Sequence, residues 1–284
     1  MSDADIAELL NAVRSSSKYA PISEELVRSI GLRELAARRN LKQAIKATKN
    51  KLHQVAGAYV DGRLPYDEWL AMLEAAADEG RRTHDTRQSA SELRTQNSEL
   101  AQACLTIMRY HASTRERLPI LRDFYATTLA SLGPLRSVLD LACGLNPLAL
   151  PWMPLAPDAS YYACDIYADM IAFLDQFFAL AGVRGQARVC DLVAAAPAEP
   201  ADLALVLKAL PPLEQQARNA GRDLLRALNA RHILVSFPAR SLGGRGKGMA
   251  ENYELRFQAL AEAEGWPVER FVFPTELAFL VRKA

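Results

Sequence analysis

Apolar positions along the chain follow two different periods. From Ile22 to about Tyr110 they recur at helical spacing, and the stretch reads as almost wholly helical. Leu41, Ile45, Leu52, Val55 and Tyr59 fall on one helical stripe. Gly57, Gly62 and Pro65 break that pattern, and Trp69, Met72 and Leu73 begin a second helix. Residues 80–94 are polar and predict a loop, which leads into a third helix over 93–108.

After Gly133-Pro134 short apolar runs alternate with longer helical patterns. The runs predict strands over 137–141, 161–164, 187–190, 203–207, 233–237, 268–273 and 277–281. Helices fall between them, among them 170–181 and 213–228. Strands alternating with helices form βαβ units and a mostly parallel sheet. The last two strands lie too close for a crossover helix, so they predict an antiparallel hairpin at the sheet's edge. The expected fold is therefore α/β, Rossmann-like, with an all-helical N-terminal domain (residues 1–110) ahead of the sheet domain (111–284).

Composition narrows this picture little. The chain has 284 residues, 50% hydrophobic and 24% charged, which suits a soluble protein of more than one small domain. Its net charge of +1 announces no nucleic-acid partner, so local charge must decide that question. The first ten residues hold Asp3, Asp5 and Glu8 and no long apolar run, unlike a secretory signal. No stretch approaches the roughly 20 apolar residues of a membrane span. Cys104, Cys143, Cys164 and Cys190 form no CxxC pair and have no histidine cluster beside them. Neither a metal site nor a disulfide framework is expected, and the simple reading is a reduced, cytoplasmic protein. Nothing in the chain demands more than a monomer.

Parallel α/β sheets bind ligands at the carboxyl ends of their strands. Here the first strand ends in Asp140-Leu141-Ala142-Cys143-Gly144, the second in Asp165, the third in Asp191-Leu192 and the fourth in Lys208. Gly144 permits a tight turn and a close ligand approach. Asp165 stands where such folds bind ribose hydroxyls. Asp191 suits an adenine amino group and the Leu192 N–H a ring nitrogen. Any one of these acids is as well explained by a helix N-cap or a solvated turn. Three at successive strand ends of one sheet point to an adenosine. The first turn lacks G-x-G-x-x-G and so offers no pyrophosphate cradle, which favours S-adenosylmethionine over a dinucleotide.

Two local basic features stand out. Arg38, Lys42, Lys46, Lys49 and His53 recur three and four residues apart, with no acid between Arg38 and Lys51. Such a stripe either tracks an RNA backbone or is a solvated helix face. Arg240, Arg245 and Lys247 lie in a glycine-rich run that ends at Met249. That run is either an RNA-ordered loop, with Met249 against an extruded base, or an exposed solubilising loop.

Several longer segments resemble the aminoglycoside-resistance 16S rRNA methyltransferases, which modify guanine N7 in the decoding site of the small subunit. They are His111 to Pro119, Asp140 to Pro147, Leu207-Lys208-Ala209-Leu210-Pro211, and Ser236-Phe237-Pro238 through Ser241-Leu242-Gly243 to Lys247-Gly248-Met249. The resemblance runs in order from about Lys18 to the C-terminus. It implies a class I methyltransferase sheet using S-adenosylmethionine, preceded by helices that dock on the 30S subunit. It implies that Arg117 holds the cofactor's carboxylate, where the residues alone favour a solvated helix face with an ordinary ion pair among Arg115, Glu116 and Arg117. Tyr59, His111, Ala112, Ser113, Ala142, Leu207 and Gln216 are implied to line the pocket. Ala142 and Asn146 stand where the general methyltransferase pattern has glycine.

Guanine N7 carries a lone pair and no proton, so its methylation needs no general base. The fourth strand's end, Lys208-Ala209-Leu210-Pro211-Pro212, is not the Asp/Asn-Pro-Pro-aromatic signature of amino-group methyltransferases. Ribose methylation calls for a lysine with acid partners, and Lys208 has none nearby in sequence before Glu214. Lys208 stays open between touching RNA phosphate, orienting the base, and being a plain strand-end charge. Two other functions remain to be weighed. One is a methyltransferase for another base of the same RNA region, such as adenine N1. The other is an inactive ribosome-binding module, against which the presence of Asp165 and Asp191 speaks.

Overall fold

Strands β1 (Leu135–Leu141), β2 (Leu155–Asp165), β3 (Arg184–Val189), β4 (Ala201–Leu207), β5 (Ala230–Pro238), β6 (Val268–Val272) and β7 (Glu276–Arg282) form one sheet. This is seen in a computed structural model that describes residues 3–55, 64–83, 98–239 and 249–283. The strand order is β3-β2-β1-β4-β5-β7-β6. The first five strands pair in parallel, and β7 is antiparallel to both β5 and β6. All seven strands stand where the apolar runs predict them. The order reverses between β1 and β4, and a parallel sheet opens its crevice at such a switch point.

Both faces of the sheet are covered, which is why its central strands read as continuous apolar runs. One face packs on α7 (Leu121–Thr128), α8 (Ala168–Leu180) and the 3-10 segment Asn146–Trp152. The same apolar cluster takes in Trp69 and Leu73 of α4 (Tyr66–Thr83) and Leu100, Cys104 and Ile107 of α5 (Glu99–Met108). The other face packs on α9 (Leu210–Gln216), α10 (Ala220–Ala227) and α11 (Met249–Glu264). A third cluster belongs to α1 (Asp3–Arg14), α2 (Glu24–Ala37) and α3 (Leu41–Val55). It reaches the sheet domain through Ile166 and Tyr167.

Four local expectations need correction. The pattern named no helix before Ile22, yet Ile6, Leu9, Leu10 and Val13 form the buried face of α1 at 3.6-residue spacing. Met72 is 41% exposed, because α4 turns Trp69, Leu73 and Ala77 inward, each one turn from the next. Residues 80–83 continue α4 instead of opening a loop. The segment 213–228 is two helices: Ala217 is extended and Asn219 adopts φ 66, a conformation that asparagine tolerates better than most residues. Pro211 and Pro212 sit in the first turn of α9, where no intrahelical N–H bond is lost.

Candidate cofactor cleft and basic face

A cleft of about 680 Å³, including its open mouth, lies over the carboxyl ends of the parallel strands. Its size suits a nucleoside ligand. Ala142 follows β1, Asp165 ends β2, Cys190, Asp191 and Leu192 follow β3, and Leu207 and Lys208 end β4; all line it. His111 and Ser113 reach it from the start of α6 (Ala112–Arg117), and Gln216 from the end of α9. Eight of the sequence-predicted pocket residues, with Lys208, are thus brought to one cavity from distant parts of the chain. Tyr59 lies outside the described residues. Ala112 is buried beside the cleft's His111 and Ser113, and Gly144 acts through backbone geometry; neither is among the lining residues.

The turn after β1 is built on left-handed backbone. Ala142 has φ 48 and Gly144 φ 51. A left-handed alanine costs energy that the surrounding bonds must offset, and such residues concentrate at functional sites. The Gly144 N–H donates to Asp165 Oδ2 at 2.8 Å, and the Cys143 N–H to the Cys164 carbonyl at 3.0 Å. A Cβ on Gly144 would stand 2.5 Å from the His111 ring, so glycine is needed there for space as well as for φ. Asp165 also accepts from the Ile166 N–H at 2.7 Å. Its carboxyl pKa is raised, because burial outweighs these donors. Burial first, then the charges of Arg117, Arg115 and Lys208, lowers the His111 pKa to about 4, so His111 is neutral at physiological pH.

Two buried acceptors on cleft-lining residues have no hydrogen-bond partner within the protein: Asp191 Oδ2 and Gln216 Oε1. The other oxygen of Asp191 accepts from the Val193 N–H at 3.0 Å, which fixes the carboxylate's orientation. Buried acceptors are costly when unmade, so these two call for a donor-bearing ligand. An adenosine fits: its exocyclic amine and ribose hydroxyls are donors, and the walls formed by Ile166, Leu192, Leu207 and Leu213 are apolar.

Beside the cleft lies a buried polar network that the sequence did not disclose. Arg117 is fully buried, and its guanidinium donates to Glu276 from Nε (3.1 Å to Oε2) and Nη2 (2.7 Å to Oε1). Its Nη1 donates to Asn146 Oδ1 at 2.9 Å. Arg117 is therefore neither a solvated helix residue nor a lining residue of the cleft. Ser236 Oγ donates to Glu276 at 2.5 Å. Burial alone would raise the Glu276 pKa, but the cations Arg117 and Lys208 hold it below the usual carboxylate value. Lys208 has φ 57 and points its amine at Glu116 Oε2 (2.7 Å) and Glu276 Oε2 (3.4 Å). The expectation that Lys208 lacks acid partners is overturned; both partners are remote in sequence. Asp140 lies deeper and does not line the cleft. It accepts from Asn146 Nδ2 at 2.9 Å and Tyr161 Oη at 2.7 Å, and burial raises its pKa to about 7.

Sequence reasoning missed Leu26 of α2, which also lines the cleft. The Ser23 N–H donates to the Ile166 carbonyl, and the Ala168 N–H to the Pro21 carbonyl, each at 2.9 Å. Ile22 and Tyr167 thereby form an antiparallel bridge immediately after Asp165. No local signal marks a segment whose role arises from a contact with residues some 140 positions away. Cysteine chemistry also departs from expectation: Cys164 and Cys190 are paired as a disulfide, while Cys104 and Cys143 are free and buried.

On the basic face, Lys42 and Lys46 are exposed, Lys49 is half-buried and His53 is exposed, all on one side of α3. Arg38 belongs elsewhere: it caps α2 and pairs with Glu34 at 2.9 Å, because the chain leaves the helix before Asn40 caps α3 through the Gln43 N–H. Arg240, Arg245 and Lys247 lie outside the described residues, as does the side chain of Met249. Among the described residues no cluster of potential metal ligands is present, and no helix is long and apolar enough to cross a membrane.

Comparison with known proteins agrees with this geometry. The ribosomal RNA methyltransferase (FmrO) family matches residues 14–280. A 16S rRNA (guanine(1405)-N(7))-methyltransferase of Frankia casuarinae is 40% identical over 274 residues, covering 95% of this chain and 91% of that protein. One of Micromonospora echinospora is 36% identical over 281 residues, covering 98% and 97%. The crystal structure of the 16S rRNA methyltransferase RmtF in complex with S-adenosyl-L-homocysteine superposes with a TM-score of 0.78 at 31% identity, over 100% of both chains. With its cleft, its strand order and these matches over nearly its whole length, the chain belongs to the FmrO family of ribosomal RNA methyltransferases.

Proposed function

We propose that the protein methylates N7 of guanosine 1405 of 16S rRNA in the small ribosomal subunit, with S-adenosylmethionine as donor, and so protects the decoding site from aminoglycosides. The observation that supports this most is the apolar cleft at the switch point with two acceptors, Asp191 Oδ2 and Gln216 Oε1, left for a ligand. The nucleotide and atom follow the names of the full-length relatives.

When bound, S-adenosylmethionine supplies a methyl group on a sulfonium, ready for direct displacement. Asp165 would hold the ribose hydroxyls with the lone pairs left after its backbone bonds. Asp191 and the Leu192 N–H would hold the adenine. Glu276 and Asn146 already engage three nitrogens of Arg117, so a donor carboxylate must share that guanidinium. Arg117 then acts as a fixed positive charge toward which the carboxylate end is oriented. Neutral His111 packs the turn after β1 and keeps it in place. N7 has no proton to lose, so the chain's task is to position the base in line with the methyl group and exclude water. Lys208, held by Glu116 and Glu276, would orient the base.

Residues 1–110 are assigned to docking on the subunit and residues 111–284 to methyl transfer. The basic face of α3 and the run from Arg240 to Met249 would contact RNA. The protein would act as a monomer in the cytoplasm. Transfer of labelled methyl to purified small subunits tests this, with primer extension after cleavage at 7-methylguanine. A single stop at nucleotide 1405 is expected. Transfer mapping to another base would retain the methyltransferase and discard the assigned nucleotide.

A further inference from the structure

We propose that Cys164 and Cys190 are a reversible redox site that controls cofactor affinity. The inference rests on the reading of the cleft as the S-adenosylmethionine site. Each cysteine immediately precedes one of the cleft's two acids, Asp165 and Asp191. They stand at neighbouring carboxyl ends of β2 and β3 with Cα atoms 5.8 Å apart, within the range a disulfide spans. The Cys190 N–H donates to the Asp165 carbonyl, and the Cys164 carbonyl accepts from Cys143 in the turn after β1. The cross-link therefore ties together the three segments that would bind ribose and adenine. Cys164 is 1% exposed, whereas Cys190 is half-buried and lines the cleft, so small reagents reach the pair through the cleft itself.

The oxidant is a low-molecular-weight disulfide. The Cys190 thiolate attacks one of its sulfurs and expels the first thiolate. Cys164 Sγ then attacks the mixed disulfide and expels the second. The protein loses two thiol protons and an electron pair, and the reagent is reduced to two thiols. Two unbonded thiols need more room than a disulfide, so reduction lets the strand ends separate and carries Asp165 and Asp191 with them. The oxidised form is preorganised for the ligand and binds it more tightly. By linkage, a bound ligand makes the pair harder to reduce at equilibrium, and by covering Cys190 it also slows the exchange.

The full-length protein, oxidised with glutathione disulfide or reduced with dithiothreitol, is mapped by differential alkylation and mass spectrometry. Each form is then titrated with S-adenosylhomocysteine by calorimetry. We expect a Cys164–Cys190 cross-link in the oxidised form, with Cys104 and Cys143 still thiols. Affinity should be at least threefold higher when oxidised; Cys164→Ser should form no cross-link, take only a mixed disulfide at Cys190, and show no gain in affinity on oxidation. Failure of the cross-link to form, or equal affinity in both forms, overturns the proposal while leaving the cofactor reading intact. Absence of binding in both forms overturns the cofactor reading and this inference with it.

Discussion

At the residue scale, the site combines groups that were readable in the sequence with buried partners that were not. Asp165, Asp191 and Gly144 stand at strand ends, where position alone suggests chemistry. Glu276 begins β7, between β5 and β6, and nothing in its sequence neighbourhood hints that it neutralises Arg117 and Lys208 across more than 60 residues of sequence. Removing that charge leaves the buried Arg117 guanidinium without its counter-ion and Lys208 with Glu116 alone. Glu276→Gln should therefore cost about 3–5 kcal/mol of stability, measured by denaturant unfolding. A loss under about 1 kcal/mol would mean that Arg117 and Lys208 find water or other partners. Asp140 yields a pH prediction. Its folded pKa of about 7 lies above the ordinary value of 3.8, so its contribution to stability is full at low pH and is lost as pH rises from about 4 to 7. Buried His111 contributes in the opposite sense, since a neutral histidine resists acidification; comparison with a variant cancels that effect. The stability of wild type relative to Asp140→Asn should fall between pH 5 and pH 7. A constant difference would show that Asp140 titrates as it does in the unfolded chain.

At the element scale, the strands were the most legible part of the fold. The central strands, buried on both faces, are written as apolar runs bounded by turn residues, while the edge strands β3 and β6 carry exposed polar positions and show only as short mixed runs. Helix ends were less legible, because they depend on caps and single backbone conformations. Asn219 splits α9 from α10, and the Arg38–Asn40 break separates α2 from α3. That second break matters for function. It removes Arg38 from the basic stripe and leaves Lys42, Lys46 and Lys49 as the basic side of α3, the side proposed to face phosphate. Lys42→Glu with Lys46→Glu should weaken binding to small subunits and flatten its salt dependence, because fewer counterions are released. Cofactor affinity should not change, since neither residue lines the cleft. Filter binding across a salt series tests this, and an unaltered slope would assign α3 to a solvated face.

At the scale of the whole molecule, the helical N-terminal part is built into the cofactor site instead of being appended to it. Leu26 forms part of the cleft wall, and Pro21 to Ser23 bond to the backbone that follows Asp165. The sequence shows two textures and suggests two independent halves. It cannot show that α1 to α3 have their own apolar cluster closing on Ile166 and Tyr167, or that α4 and α5 share the core of the sheet. Coupling between the halves follows from this seam. A ligand packed against Leu26 and held by Asp165 stabilises the bridge between Ile22 and Tyr167, and with it the closed arrangement of α1 to α3. Hydrogen exchange of the whole protein with and without S-adenosylhomocysteine should therefore show slower exchange at the Ser23 and Ala168 amides, by about tenfold if the ligand contributes roughly 1.4 kcal/mol to closure. Protection confined to the strand ends around Asp165 and Asp191 would show that the seam opens independently of the cleft. Protection extending into α2 would mean that the unit bearing the basic face is ordered by the same ligand that supplies the methyl group. RNA docking and cofactor binding would then reinforce one another, as linkage between two sites on one closing element requires.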